Sequence, residues 1–574
     1  MSKIGEGHLV IGLLVKTSTA TSTAPGLRRK IGPSFFLLVH DLLNMNHDAT
    51  DETTALLHAA VDNDDDQPTV TRRELWSYYL YYNGDNGVGP QSYSLAIFQS
   101  VLTAAGHDPT IFPPQAGNCT TGPCVIPWGS STHNVSSILL LANGFCFTVM
   151  TAMFLCLGSA ADYGSLGPKL LLYLTITCWI AQYGFMAVTG ANQWPLAMLL
   201  YIISYITYGA TLVFYAALFP RLARYTPSVR HARETLLPAS QITLHDYNTL
   251  ESLSRSHISN ISTAHSNIGY LLVLLLNLSI LIPLSSHPYA NNLALLLTTT
   301  YFLVLGLPWF FFRQPRPGPP LPKSTSYLRV TIGHLSLALK SARHLPQTFL
   351  YLFSFFLLSD GLNTTSTLIS ILQNDTIHFS FLHLTYLGLL QAFTSTLSTL
   401  VFDWAQHRFC IPPKRLFQVT NLFSVLVPAY GCLALSSGAE GTPGMGYNTL
   451  GSFVLYNTLF GLFQAPYYAY SQTLMADLTP RGYEGVFFGL FGTMNRASSV
   501  VGPNVLFAIT EGTGRREWGF VFLTGLTAVA SLVIWSVDVD KGREDCRRFV
   551  GENVGDGHTQ TVEVDDGETH TEIG

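Results

Sequence analysis

The feature that most constrains the fold is a series of long apolar runs between residues 136 and 537. Each run has roughly the length that crosses a hydrocarbon layer of about 30 Å as a helix, which satisfies its own backbone hydrogen bonds there. The eleven runs lie at 136–157, 170–188, 195–218, 268–283, 293–312, 348–372, 381–402, 416–435, 450–475, 486–509 and 519–537. The sequence therefore predicts an all-α polytopic membrane protein.

The composition agrees with that fold class and excludes others. Hydrophobic residues make up 48% of the chain and charged residues only 11%, against about 25% charged residues in soluble domains. The net charge of -5 gives no basic excess for binding a phosphate backbone, so no nucleic-acid partner is expected. The eight cysteines form no paired CxxC clusters and no Cys/His ligand spacing, so neither a metal site nor a cofactor is predicted.

The distribution of Lys and Arg predicts the topology, because short cytosolic loops retain positive charge and translocated loops do not. Basic residues cluster at 28–30, 72–73, 169, 221–255, 313–343, 408–415, 481 and 541–548. The intervening loops at 104–133, 189–194, 284–292, 373–380 and 436–447 contain none. Only the loop with Arg515 and Arg516 departs from this alternation. Both termini and the central loop are therefore predicted to face the cytosol.

This alternation requires one more crossing, between Arg73 and the loop at 104–133. The segment 75–102 is aromatic at its start and is then interrupted by Gly84, Asp85, Asn86 and further Gly and Pro residues. Such backbone is tolerated at membrane depth where it is buried in protein or lines a water-filled cavity. We therefore place a first span here, which makes twelve. The alternative is a cytosolic amphipathic segment followed by a re-entrant loop.

The long loop after the sixth span divides the chain into two membrane halves. The predicted organisation is a disordered cytosolic N-terminal tail (1–72), a six-helix half (73–312), a central cytosolic loop (313–345), a second six-helix half (346–538) and a cytosolic C-terminal tail (539–574). The N-terminal tail also contains an acidic dileucine pattern typical of sorting to vacuoles and lysosomes, with Glu52, Leu56 and Leu57 as its defining residues.

An acid and a base recur at matching corners of the two halves. Asp162 follows the second span and Lys169 opens the third, while Asp403 ends the eighth and Lys414 opens the ninth. This arrangement partly resembles the loop pattern GxxxDxxGRK of the major facilitator superfamily, with the glycine and basic positions displaced. These four residues are predicted to form conformational-gate loops. The alternative is that each acid only lies near a helix end.

Ionisable residues inside the spans are costly to insert and are therefore functional candidates. Asp85 lies in the first span, Asp360 in the seventh and Arg496 in the eleventh. We expect these residues to line a substrate and proton pathway, in which a carboxyl group couples proton binding to substrate binding. The alternative is a buried Asp–Arg pair that only fastens helices. Polar neighbours assigned to the same pathway are Asn86, Asn363, Gln464 and Tyr467.

Two predicted non-cytosolic loops carry possible modification sites. Asn118, Asn134 and Asn374 begin glycosylation sequons. Cys119 and Cys124 lie close together on the same oxidising side, so they form either a disulfide or two free thiols.

Several separate motifs stand out along the chain: ELWSYYLY at 74–81, SNIGY at 266–270, RPGPPLP at 316–322, LSDG at 358–361, EGVFFGL at 484–490, GP at 502–503 and VDVDKGR at 537–543. These motifs resemble the autophagy-related protein 22 family, fungal vacuolar amino-acid effluxers of the major facilitator superfamily. Together they cover about residues 72 to 548. A basic residue shortly before Gly502 and Pro503 also fits the family pattern, which supports Arg496.

The resemblance implies twelve helices in two six-helix halves, alternating access, and export of leucine and other neutral amino acids from the vacuole after autophagic degradation. The expected partners are the amino-acid substrate, the lipid bilayer and, in a proton-coupled cycle, protons; no enzymatic activity is expected. No GxxxxGK[ST] loop is present, so a substrate or proton gradient would drive transport. One alternative is transport of another small solute, and a second is a non-transporting sensor that docks partners on the loop at 219–262. A third is a membrane hydrolase that lyses autophagic bodies, but the sequence contains neither the GxSxG nor the HExxH motif of common hydrolases.

Overall fold

The computed structural model describes residues 67–107, 124–128, 131–158, 160–284, 287, 289–318, 340–376, 381–433, 446–447, 449–513 and 518–562. These residues are almost entirely helical, apart from one short antiparallel hairpin in which Val125 pairs with Asn134 and Trp128 with Ser131. The prediction of an all-α polytopic fold is confirmed.

The described residues from 67 to 312, called the N-half, contain nine α-helices. They are α1 (Arg72–Gly84), α2 (Ser94–Ala105), α3 (Val135–Leu157), α4 (Leu166–Gly184), α5 (Trp194–Ala216), α6 (Phe219–Arg224), α7 (Pro227–His231), α8 (Leu244–Leu281) and α9 (Ala290–Phe312). The hairpin strands β1 (Val125–Trp128) and β2 (Ser131–Asn134) lie between α2 and α3. Short 3-10 turns occur at Ala160–Asp162, Phe185–Ala187 and Ala191–Gln193, and π-helical turns at Val88–Tyr93 and Ala232–Leu236.

The second part, called the C-half, begins after a 3-10 turn at Ser341–Arg343. Its helices are α10 (Pro346–Thr376), α11 (Phe381–Phe409), α12 (Pro413–Cys432), α13 (Leu450–Asp477), α14 (Glu484–Thr513) and α15 (Trp518–Ser536). Helix α16 (Val539–Val562) follows within the segment that the sequence assigned to a cytosolic tail.

The interruption that the sequence predicts in the first span is confirmed. Helix α1 begins after Thr71, whose side chain accepts the Glu74 N–H, and it ends at Gly84. The chain resumes as a π-helical turn at Val88 and continues into α2. Gly87 between them has φ of 84°, a left-handed conformation that favours glycine. The break therefore places Asp85 outside regular α-helix.

The exterior of the bundle is apolar, as expected of a surface that faces lipid. Large hydrophobic side chains stand exposed on many helices, and Phe311 is 74% exposed. Among the described residues, five helical stretches are long and apolar enough to cross a membrane: Leu166–Ala187, Ala191–Arg224, His245–Leu281, Ala290–Phe312 and Trp518–Ser536. The chain is therefore a multi-pass membrane protein. The count of twelve spans stays a prediction.

The two halves repeat one packing scheme. Helix α1 packs against α8 and α9, and its counterpart α10 packs against α14 and α15. Between the halves, α8 contacts α11 and α13, while α3 and α5 contact α14. These inter-half contacts position the candidate site and the gate.

The basic segments gather at one end of the bundle, which is called the basic end. It contains Arg224, Arg255, Arg316, Arg481 and Arg543, each paired with a carboxylate. Arg316, for example, donates to both Glu74 oxygens, at 2.6 and 2.9 Å, and ties the segment after α9 to the start of α1. Segments that the Lys and Arg pattern assigned to one side of the membrane therefore meet at one end.

Candidate transport pathway and gate

Arg496 lies on the inner face of α14, where the C-half meets the N-half. Its guanidinium carbon is 5.9 Å from the centroid of the Phe147 ring on α3, a distance typical of a cation–π contact. It also interacts electrostatically with Tyr205, Tyr208 and Tyr468. Over the described ranges, no carboxylate lies within salt-bridge distance of Arg496. The guanidinium is thus surrounded by aromatic rings and hydroxyl groups from both halves.

Asp85 is buried on the N-half side of the same region. The Thr211 hydroxyl of α5 donates to Oδ2 of Asp85 at 3.0 Å. Tyr82 and Tyr208 also interact electrostatically with this carboxyl group. Because it lies in the break after α1, Asp85 faces side chains of other helices, with only 2% of its surface exposed. The break after α1 therefore places the Asp85 carboxyl group in the interior of the bundle.

Tyr208 connects the two charged residues. Its side chain interacts with both Asp85 and Arg496, although these lie in different halves. It also fills the space beside Gly87, where an added Cβ would collide with the Tyr208 hydroxyl. The structure thus brings Asp85 and Arg496 to one tyrosine-lined region without joining them in a salt bridge.

Asp360 has a different environment, although it is the counterpart of Asp85 in the C-half. Its Oδ1 accepts the Gly502 N–H at 2.9 Å and the Thr364 hydroxyl at 3.2 Å. Gly502 belongs to α14 and Thr364 to α10, so the carboxyl group joins two helices of the same half. Among the residues described here, Asp360 forms no salt bridge with Arg496.

The remaining pathway candidates divide between structural and accessible positions. The Asn86 amide closes the turn after α1, because it donates to the Asn83 carbonyl at 3.0 Å and accepts the Val88 N–H at 3.1 Å. Tyr467 is buried in the C-half and stacks on Phe417 at 5.2 Å between ring centroids. Gln464 and Asn363 are partly exposed, and Gln464 donates to the Tyr468 hydroxyl at 3.4 Å. Gln464 therefore reaches the surroundings of Arg496.

Asp162 joins the two halves at the basic end. Its carboxylate accepts the Gly485 N–H at 2.7 and 2.9 Å and the Val486 N–H at 3.3 Å, so it caps the N-terminus of α14. Burial and the neighbouring Glu484 raise the pKa of Asp162, while these N–H donors lower it. Gly158 and Gly485 bring the backbones of α3 and α14 together, since a Cβ on Gly158 would lie 2.6 Å from the Gly485 carbonyl. The halves are closed against each other at this corner.

A network of ion pairs closes the second contact between the halves at the basic end. Arg255 of α8 pairs with Asp477 of α13 at 2.7 Å, and Arg543 of α16 reaches the same carboxylate at 2.7 Å. Further inter-half pairs are Arg224 with Glu484 at 3.3 Å and Glu251 with Arg481 at 3.4 Å. In this conformation, the N-half and the C-half are therefore held together at both corners of the basic end.

The other gate candidates have unequal positions. Asp403 lies between the halves, where Asn260 of α8 donates to its Oδ1 at 3.2 Å. Lys169 is exposed to solvent. Lys414 donates to the Trp535 carbonyl at 3.2 Å and so links α12 to α15 inside the C-half. Asp162 and Asp403 are therefore the two inter-half residues of the four, and a gating role for all four stays a prediction.

Several candidate positions on the predicted non-cytosolic side and in the tail are only partly described. Asn118, Cys119 and the sorting residues Glu52, Leu56 and Leu57 lie outside the described residues. Asn134 ends strand β2, and Asn374 lies in the last turn of α10. Cys124 is disulfide-bonded, while its pairing with Cys119 stays a prediction.

Sequence reasoning missed most of the polar lining and the ionic gate. Tyr201, Tyr205 and Tyr208 recur at helical spacing along α5, which is a signal for one shared face. In the sequence, the charges of the inter-half ion pairs indicate only topology. Their pairing could not be found in the sequence, since Arg255 and Asp477 are 222 residues apart.

The comparisons with known proteins agree on one family. Residues 70–547 match the family described as "Vacuole effluxer Atg22 like". The chain is 26% identical over 499 residues to autophagy-related protein 22-1 of Penicillium rubens (78% of this chain, 83% of that protein). It is 25% identical over 468 residues to that of Phaeosphaeria nodorum (76% and 82%) and 24% identical over 479 residues to autophagy-related protein 22 of Coccidioides immitis (78% and 78%).

Two solved structures match this chain at low TM-score and low sequence identity. The human organic anion transporter MFSD10 (TETRAN) superposes with a TM-score of 0.49 and 14% identity, covering 81% of this chain and 100% of that one. A bacterial homologue of the iron transporter ferroportin in an outward-facing state gives 0.46 and 13%, covering 81% and 99%.

The helical bundle with an apolar exterior and a polar interior between two halves defines a polytopic membrane protein, and the family match identifies it as a transporter. Within that class, the chain belongs to the Atg22-like vacuole effluxer family.

Proposed function

We propose that this protein exports amino acids, leucine and other neutral ones among them, from the vacuole to the cytosol after autophagic degradation. It works by alternating access, in which the N-half and C-half rock about a site near the middle of the bilayer. Family membership supports the vacuolar location and the direction of export. The basic end is the cytosolic end, in keeping with the positive-inside rule.

The proposal rests on one observation, the position of Arg496 inside the bundle without a carboxylate partner among the described residues. A cation inside a membrane bundle is costly, and the described structure gives it no carboxylate partner within salt-bridge distance. A guanidinium offers paired N–H donors that match the geometry of a carboxylate. Arg496 contacts Phe147 of the N-half and interacts with Tyr468 of the C-half, so a substrate bound there would contact both halves. We therefore assign it the substrate carboxylate.

Asp85 supplies the complementary charge. Because Tyr208 interacts with both Asp85 and Arg496, one small zwitterion can place its carboxylate near the arginine and its ammonium group near the aspartate. A carboxylate here also gives a place for a proton when no ammonium group is bound, which is how transport would couple to the acidic lumen. The tyrosine hydroxyls supply further hydrogen bonds to the substrate.

The closed basic end supplies the other part of the cycle. With the ion pairs and the Asp162 cap formed, the site is shut off from the cytosol, and release requires these contacts to break. A substrate bound to both halves favours the switch only through its different affinity for the two states.

Counterflow of labelled leucine into proteoliposomes loaded with unlabelled leucine tests the proposal. The wild-type protein should exchange leucine. Arg496→Gln should lower the rate by roughly 10- to 100-fold, because a hydrogen-bonded charge contributes about 1.5–3 kcal/mol. Arg548→Gln, which changes an exposed arginine on α16, is the matched control and should exchange like the wild type.

Two results would overturn the proposal. A folded wild-type protein that exchanges no neutral amino acid would support a sensor or a carrier of another solute. Equal rates in the Arg496 and Arg548 variants would remove Arg496 from the binding site. Protease protection of terminal tags on isolated vacuoles checks the proposed orientation, which requires both tags to be digested from the cytosolic side.

A further inference from the structure

Two histidines and an aspartate meet between the halves at the basic end. His257 lies on α8 of the N-half, while Asp403 and His407 lie on α11 of the C-half. His257 Nδ1 is 3.1 Å from Asp403 Oδ2, and the two imidazole rings are 4.9 Å apart between centroids. One nitrogen or oxygen of each side chain lies within 4.8 Å of those of the other two. The three groups therefore converge on one point.

The surroundings orient these groups as ligands. Asn260 donates to Asp403 Oδ1, and His407 Nδ1 lies 2.9 Å from the Asp403 backbone carbonyl. Such outer hydrogen bonds fix the carboxylate and the ring orientation at metal sites. The His257 and His407 side chains are 47% and 42% exposed, so an ion can enter from solvent.

We propose that His257, Asp403 and His407 bind one zinc-like divalent transition-metal ion that locks the two halves in the conformation closed at the basic end. Two imidazoles and one carboxylate suit Zn²⁺, and three protein ligands leave a position for water. His257 comes from the N-half and the other two ligands from the C-half, so the bound ion bridges bodies that must separate. It therefore binds the closed state more tightly than the open one and slows the cycle.

Isothermal titration with Zn²⁺ tests the site on the purified full-length protein, isolated through a tag without histidines. The wild type should bind one ion. His257→Gln and His407→Gln should each weaken this binding at least tenfold, whereas His245→Gln, an exposed histidine on the same helix α8, should not change it. Asn260→Ala should weaken it by about 10- to 100-fold if Asn260 holds the carboxylate. The site is refuted if the three histidine variants bind Zn²⁺ alike, or if the wild type binds none.

The effect of bound Zn²⁺ on the closed conformation is measured separately, by leucine counterflow, and this test rests on the proposed function. Zn²⁺ added at the face of the basic end, at about 100 times its dissociation constant, should slow leucine counterflow by at least about tenfold, and EDTA should restore it. In the same concentration of Zn²⁺, the His257→Gln variant should keep its rate of leucine counterflow. Unchanged counterflow with Zn²⁺ bound overturns the lock. A protein that transports no leucine but loses Zn²⁺ binding in the His257 variant would overturn the proposed function and support the metal site.

Discussion

Asp85 and Asp360 occupy corresponding helices in the two halves, yet their environments differ. Asp85 lies in a helix break, accepts a hydroxyl group and shares Tyr208 with Arg496. Asp360 lies within the continuous helix α10, and its carboxylate holds a backbone N–H of α14. The sequence alone assigned both acids to one proton pathway. From these different partners we expect different roles, because a carboxylate already held by a backbone N–H is less available to a substrate or a proton.

Neutralising Asp85 and Asp360 in turn tests the difference between them most directly. Asp85→Asn should lower leucine counterflow by roughly 100-fold, since it removes the charge assigned to the substrate ammonium group and hydrogen bonds to charged groups contribute up to about 3 kcal/mol. Asp360→Asn should change it less than about threefold, because an amide oxygen still accepts the Gly502 N–H. Counterflow at matched protein abundance measures both. Equal losses would restore a shared role for the two acids.

A second test crowds the contact between Asp360 and Gly502. A Cβ on Gly502 would lie 2.5 Å from Asp360 Oδ1 and would also meet the Thr364 hydroxyl, so Gly502→Ala should destabilise the protein by about 1–3 kcal/mol. Thermal unfolding in detergent measures the loss. Gly525→Ala is the control, because nothing lies within 4 Å of its added Cβ. If both variants melt together, α14 is not fastened to α10 at this point.

The smallest expected effects separate the two hydroxyl partners. Thr211→Val removes one hydrogen bond to Asp85 and should slow counterflow by roughly tenfold or less, with little change in melting temperature. Thr364→Val removes one to Asp360 and should lower the melting temperature slightly while transport continues. Thr211→Ser, which keeps the hydroxyl, should recover the rate. The opposite pattern would exchange the roles assigned to the two aspartates.

The sequence predicted the fold class well and the site only in part. Apolar runs and the Lys and Arg distribution report on lipid and topology residue by residue, and Gly84 and Gly87 marked the interruption beside Asp85. Hydrogen-bond partners on different helices leave no such local signal in the sequence. The Gly502 N–H that binds Asp360 is 142 residues away, and His257 is 146 residues from Asp403. Only the packing of the helices determines which polar groups meet.

Asp477 binds two arginines from different parts of the molecule. Arg255 is carried by the N-half, whereas Arg543 lies on α16, directly after the last helix of the C-half. In the proposed alternating-access cycle, Arg255 would move away with the N-half and Arg543 would stay beside Asp477. A buried carboxylate left alone would be strongly unfavourable, so the retained arginine lowers the energy of the opened state. Under the proposed mechanism, the ion pairs would hold the basic end closed and still allow it to open again.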